Sequence, residues 1–152
     1  MSGMEGLGRV FNVISLADTV GFSMSECSAV SLVFTASGAS SALFAAAKTF
    51  AGSYDAFLPA SGFGQPTRWY QSAGDTGTTA WTKQTAVWTN GATASLALAG
   101  TTAYMSVVSV FGSQMADGYK YLKVTCTNAT VVAITHDLTV QRTPANLAKL
   151  GA

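Results

Sequence analysis

Charge is what this chain has least of. Asp, Glu, Lys and Arg supply only 10% of its 152 residues, against the roughly 25% of an ordinary soluble domain. The eight cations, Arg9, Lys48, Arg68, Lys83, Lys120, Lys123, Arg142 and Lys149, form no cluster denser than Lys120 with Lys123. Binding nucleic acid through counterion release needs a basic stripe, so no nucleic-acid partner is expected. Histidine occurs once, at His136. Asp137 follows it directly, and adjacent side chains on a strand point to opposite faces, so that acid cannot orient the imidazole as a catalytic base. The seven carboxylates, Glu5, Asp18, Glu26, Asp55, Asp75, Asp117 and Asp137, fall at turn-like positions and are read as turn and cap residues. No two sit at i, i+2 on one strand face, so spacing singles out no acid pair. Gly62-Phe63-Gly64 lacks both the following helix and the Lys-Ser/Thr pair of a phosphate-cradling loop. No catalytic residue, metal ligand set or cofactor is therefore expected.

Cysteine and proline are scarce as well. Cys27 and Cys126 are too far apart in the chain for a close metal-ligand pair and lie in strand-like sequence, so both read as buried free thiols. An immunoglobulin-type bridge needs a Trp about fifteen residues past the first cysteine. The first Trp here is Trp69. At the start of the chain, Glu5 stands where a secretory signal carries positive charge, and Asn12 and Ser15 interrupt the apolar patch, so no export signal is expected. Gln84 to Ala116 has no charged residue, but Thr85, Asn90, Gly91 and Gly100 break it repeatedly. It reads as two uncharged strands around a Gly100-centred turn, with no membrane partner.

What is abundant is small and β-compatible. Thr (19), Ser (16) and Gly (15) fill 50 of the 152 positions, a composition from which helical bundles are not built. A net charge of +1 gives little self-repulsion and a tendency to associate, which suits a protein living in an assembly. Val20, Phe22 and Met24 alternate with small residues at the strand period. Cys27 to Ala36 looks like a central strand buried on both faces, Ser37 to Ser41 like a loop, and Ala42 to Phe50 is ambiguous, with a short strand ahead of a helix. Ser53 to Gln65 is expected as an irregular surface connection, and Thr67 to Ser72 as a strand with Trp69 and Tyr70 on opposite faces. Ala73 to Thr78 is a turn, Thr79 to Thr89 is β-rich, and Asn90-Gly91 is a hairpin signal. Strands follow near Thr93 to Leu98, Ala103 to Phe111 and Tyr119 to Thr127. In the last of these Leu122, Val124 and Cys126 face one way, and Tyr119, Tyr121 and Lys123 the other. Val131 to Val140 completes the set, as one strand bent near His136 or as two.

These eight or nine short strands predict an all-β antiparallel sandwich, Greek-key or jelly-roll-like, with extended terminal arms. Residues 1–18 form an N-terminal arm or first strand, residues 19–142 the β-sandwich domain, and residues 143–152 a C-terminal tail. Trp69, Tyr70, Trp81, Trp88, Tyr119 and Tyr121 could line a sugar-stacking platform. Trp81 and Trp88 are an odd number of residues apart, which sends them to opposite faces of a regular strand and places at least one in the core.

Asp117-Gly118-Tyr119-Lys120-Tyr121-Leu122-Lys123-Val124-Thr125, the stretch from His136 to Leu147, and Ala80-Trp81-Thr82-Lys83 resemble small head proteins of tailed actinobacterial phages, which are capsid decoration or cement proteins. The likeness runs from about Cys27 onward and is densest in the last forty residues. The stretch around Ala148-Lys149 is less proline-rich than that family's tails. The resemblance implies a non-enzymatic virion protein on the phage head surface, assembled in the host cytoplasm. Its partners would be the major capsid protein lattice and further copies of itself, with a trimer favoured. The candidate partner-binding residues are Leu7, Val10, Phe11 and Val13 at one end, Arg142, Asn146, Leu147 and Leu150 at the other, and Tyr119 and Tyr121 between them. A tail-tube or other β-rich virion subunit, and a carbohydrate-binding module, are the alternatives; Ser53 to Gln65 is the only long loop of the kind a tail-tube ring uses.

Overall fold

The computed structural model describes residues 11–16, 22–25, 27–50, 55–56, 68–85, 94–99, 102–115 and 117–138. Among these residues nine antiparallel strands are formed: β1 (Phe11–Leu16), β2 (Phe22–Ser23), β3 (Cys27–Ala47), β4 (Asp55–Ala56), β5 (Arg68–Ala73), β6 (Trp81–Lys83), β7 (Ala94–Ala99), β8 (Tyr104–Phe111) and β9 (Tyr121–Leu138). The only helical turn among the described residues is a 3-10 turn, Gly112–Gln114, where the Phe111 N–H donates to Gln114 Oε1 at 2.8 Å.

Two strands dominate. β3 has 21 residues and β9 has 18, against a usual strand length of roughly 5–6. They pair along nearly their whole length, but the register breaks between Ala36 and Ser41. On one side of the break Cys27–Ala36 pairs with the second half of β9 and with β8; on the other, Ser41–Ala47 pairs with the first half of β9, with β7 and with β4. The sheet therefore folds over on itself. The larger layer has the order β1-β9-β3-β8-β5-β6, and the smaller consists of β2, the start of β9, the end of β3, β7 and β4. This is the expected all-β antiparallel sandwich, with its two layers cut from one continuous sheet whose strands switch layers at a bend.

The core alternation explains the bend. In β3 the inward side chains are Val30, Leu32, Phe34, Ala42, Phe44 and Ala46, all at even positions. In β9 they are Leu122 and Val124 before the bend but Val131, Ala133 and Thr135 after it. The alternation changes parity, and a strand in regular conformation cannot do that without exposing its apolar set. Asn128 lies between the two sets with φ 54°, the one non-glycine residue of positive φ among the described residues. Asn tolerates the left-handed region better than most side chains. Its Nδ2 donates to the Ala39 carbonyl at 3.0 Å, tying the bend of β9 to that of β3. Phe34 and Phe44, one from each layer, meet edge to face with ring centroids 6.4 Å apart. Both are fully buried, as are Leu32, Leu96, Leu98 and Val108, and burying each such side chain contributes about 1.5–3 kcal/mol.

Several expectations are corrected here. Ser37 to Ser41 is not a loop but the bend inside β3; small residues are common to turns and to strand corners, so composition does not separate them. Cys27 to Ala36 is central but alternates, with Ser31, Val33 and Thr35 only half-buried, because no second layer covers their face among the described residues. β9 is one strand, and it bends at Asn128 instead of His136. β7 and β8 flank Gly100 as expected, yet they run end to end along β3 instead of pairing as a hairpin. The ambiguous segment is strand as far as Ala47. Residues 1–10, Trp88, the Asn90-Gly91 signal and the tail 143–152 lie outside the described residues.

Asn128→Ala is expected to cost about 1–2 kcal/mol in equilibrium unfolding, from a lost hydrogen bond and a left-handed β-carbon. Asn128→Gly should cost less, because the backbone strain disappears. A Cβ added at Gly38 would meet nothing within 4 Å, so Gly38→Ala should stay within ~0.5 kcal/mol. Equal costs for all three would contradict the assignment of the corner to Asn128.

Candidate partner-binding surface

The uncovered face of the larger layer is built in rows by the strand register. One row runs Val13, Ile134, Ser31, Ser109, Arg68 across β1, β9, β3, β8 and β5. The next runs Ser15, Val132, Val33, Val107, Tyr70, Lys83, ending on β6. A third runs Thr130, Thr35, Met105, Ser72, Trp81. Val13 is 54% exposed, Tyr70 38% and Trp81 41%, while the valines between them are half-buried. The face is mixed: Val13, Val33, Tyr70, Trp81, Met105, Val107, Val132 and Ile134 alternate with serines, threonines, Arg68 and Lys83, and no second layer covers it among the described residues. The charged residues in these rows are the cations Arg68 and Lys83, and at the margin Asp75 of the turn after β5 lines a pocket with Thr35 and Thr130.

At the Trp81 corner the turn between β5 and β6 folds over the sheet. Ser72 Oγ donates to the Thr79 carbonyl at 2.9 Å. Gly77, at φ 65°, lets the chain pass so close that a Cβ there would lie 2.9 Å from Met105 Sδ and 3.1 Å from Trp81. At the opposite end, His136 Nε2 and Ser31 Oγ are hydrogen-bonded at 2.8 Å, and Ser31 Oγ lies 3.4 Å from Ser109 Oγ. His136 and Ser31 are thus a base and a hydroxyl in contact. No carboxylate is among the described residues lining their cleft. Both edges of β3 here are hydrogen-bonded to neighbours, which leaves no free backbone N–H groups to stabilise an oxyanion. Among the described residues the cleft thus holds the His136–Ser31 pair without an acid partner.

The structure separates the candidate partner-binding residues. Phe11 and Val13 belong to β1, opposite His136 and Ile134. β1 is the last strand of its layer in the order formed by the described residues, the position at which sheets are extended by strand addition. Tyr121 lies in the smaller layer, its ring 5.9 Å from that of Phe50. Tyr119 precedes β9, packs against the core and sits under Lys48 Nζ at 5.2 Å. That corrects its expected place on the same face as Tyr121 and Lys123: outside the strand, the alternation no longer governs it. Leu7, Val10, Arg142, Asn146, Leu147 and Leu150 lie outside the described residues. Of the rings considered for a sugar platform, Trp69 is buried in the core, Tyr70 and Trp81 share the face of the larger layer, and Trp88 lies outside the described residues. Cys27 and Cys126 form no disulfide; Cys27 is buried as expected, whereas Cys126 is only half-buried.

Reasoning from sequence missed Ser31, Ser109, Arg68, Val33 and Val107 as surface-forming residues. A signal was present. Val33-Phe34, Val107-Val108 and Val131-Val132 put apolar side chains on both faces of strands in a sheet that has only one covered face. Comparison with known protein families, curated proteins and solved structures gives no match, so function rests on this geometry and on the resemblance in the sequence. Among the described residues no helix is long and apolar enough to cross a membrane, and no group of His, Cys, Asp and Glu is placed to hold a metal ion.

If the face is open, Val13→Thr and Tyr70→Thr should each change stability by under ~0.5 kcal/mol, while Trp69→Ala, from the reverse side of β5, should cost about 3–5 kcal/mol. Denaturant unfolding decides this. A cost at position 70 equal to that at 69 would show the face to be covered core.

Proposed function

We propose that the chain is a structural virion protein that decorates a phage head, binding the outer surface of the major capsid protein lattice and stabilising it. The observation that carries this reading is the face of the larger layer that no second layer covers among the described residues, with Val13, Tyr70 and Trp81 exposed on it and β1 as its last strand. Such a surface on a chain of net charge +1 favours association over life as a free monomer. The phage-head resemblance of the sequence supports the same reading and supplies the lattice as the partner.

The register adds a reason for two arms to act together. β1 starts at Phe11 opposite His136, and β9 ends at Leu138 opposite Cys27. β1 therefore begins, and β9 ends, at the same end of the larger layer. A ligand that binds the assembled shell and not the free subunit stabilises the shell by mass action, and many copies multiply small contacts. In this role the protein is not an enzyme. It works on the head surface after assembly in the host cytoplasm, with a trimer as the favoured oligomer.

Light scattering of the pure chain, followed by sedimentation with expanded, protein-stripped phage heads, tests the reading. Stoichiometric co-sedimentation is expected. A chain lacking residues 143–152 should remain folded and lose head binding, and retained binding would contradict the tail-anchor role. Rings or tubes of free protein with no head binding would indicate a tail component. An inert monomer whose Trp fluorescence is saturably quenched by polysaccharide would indicate sugar binding at Tyr70 and Trp81.

A further inference from the structure

Between β9, β3, β8 and β5 the open face dips into a cleft of about 310 Å³ lined by Ala29, Ser31, Arg68, Ser109, Phe111 and His136. Its polar groups converge from four strands. Ser31 Oγ lies 2.8 Å from His136 Nε2 and 3.4 Å from Ser109 Oγ, and Arg68 is the cross-strand partner of Ser109. The Arg68 guanidinium is held over the Phe111 ring, 5.3 Å from its centroid. A stacked guanidinium keeps its in-plane N–H donors free for an anion while its face is occupied. Every polar side chain here is able to donate, and none of the described lining residues is acidic.

We propose that this cleft is a receptor for a single carboxylate, supplied by an Asp or Glu side chain of the protein on which the face docks. The identity of that protein rests on the decoration reading; the carboxylate specificity does not. One guanidinium balances one negative charge, whereas a phosphate dianion would bring a charge that nothing in the cleft offsets, and an uncompensated charge within an interface is costly. The two hydroxyls take the remaining lone pairs, and the planar fork of Arg68 fits carboxylate geometry bidentately. A second copy of this chain is the poorer occupant: the rows it would bring carry Arg68 and Lys83 again and set like charges together, and its Asp75 lies at the margin of the face, beside Thr35 and Thr130.

The single histidine is a built-in reporter. In NMR titrations of the full chain at constant ionic strength, acetate should move the His136 ring signals saturably, and sulfate should not. Arg68→Gln should abolish the response, Arg68→Lys should weaken it, and Lys83→Gln, one row away, should leave it intact. A linear or absent response, or one that survives Arg68→Gln, overturns the carboxylate receptor; an equal response to sulfate overturns its specificity. In head sedimentation Arg68→Gln should lower affinity at least tenfold. Unchanged affinity in a variant that has lost acetate binding would refute the role of the cleft in docking. If neither protein binds heads, the decoration reading fails while the acetate result still decides the cleft.

Discussion

Everything in this fold depends on two long strands turning one corner together. β3 and β9 supply the centre of both layers, and each must keep its apolar side chains inside after the bend. β3 does so by spending extra residues between Ala36 and Ser41, and β9 by a parity change at Asn128. The hydrogen bond from Asn128 to the Ala39 carbonyl joins the two solutions. β7 and β8 follow the same path along the far edge of β3 and are interrupted at the level of the bend. One local backbone conformation thereby determines which face of every neighbouring strand is buried, and which is left open.

The regular parts of this fold were legible in the sequence, and the irregular one was not. Alternation at Leu122 and Val124, and the opposed Trp69 and Tyr70, gave correct strand faces because period two is a property of each strand alone. The bend was invisible for two reasons. Ser37 to Ser41 has the composition of a loop, and nothing about Asn128 as a letter says that its φ is positive. The cleft was invisible for a different reason: His136 was weighed against its sequence neighbour Asp137, whereas its partner Ser31 comes from a strand far away in the chain. Cross-strand juxtapositions of this kind follow from register, and register here hangs on the corner.

An open apolar face is a cost that a solitary protein avoids. Here exposed Val13, Tyr70 and Trp81 coincide with a charge-poor composition and with β1 beginning at the end of the larger layer where β9 stops. Each feature alone has an ordinary explanation; together they are what the proposed role on a capsid lattice requires. The interior is held by packing: Trp69 Nε1 and Ser40 Oγ are buried without a hydrogen-bond partner, so shape rather than polar pairing positions them. Such a scaffold changes little on binding, leaving specificity to the face, the edge and the cleft.

The most direct test of this account is hydrogen–deuterium exchange of the chain free and bound to expanded heads. The edge of β1 and the strands around Ser31, Ser109 and Arg68 should gain protection on binding, while the core amides of the smaller layer, around Phe44 and Val124, should not change. Protection confined to the smaller layer, near Tyr121 and Phe50, or no change anywhere on a chain that sediments with heads, would contradict it.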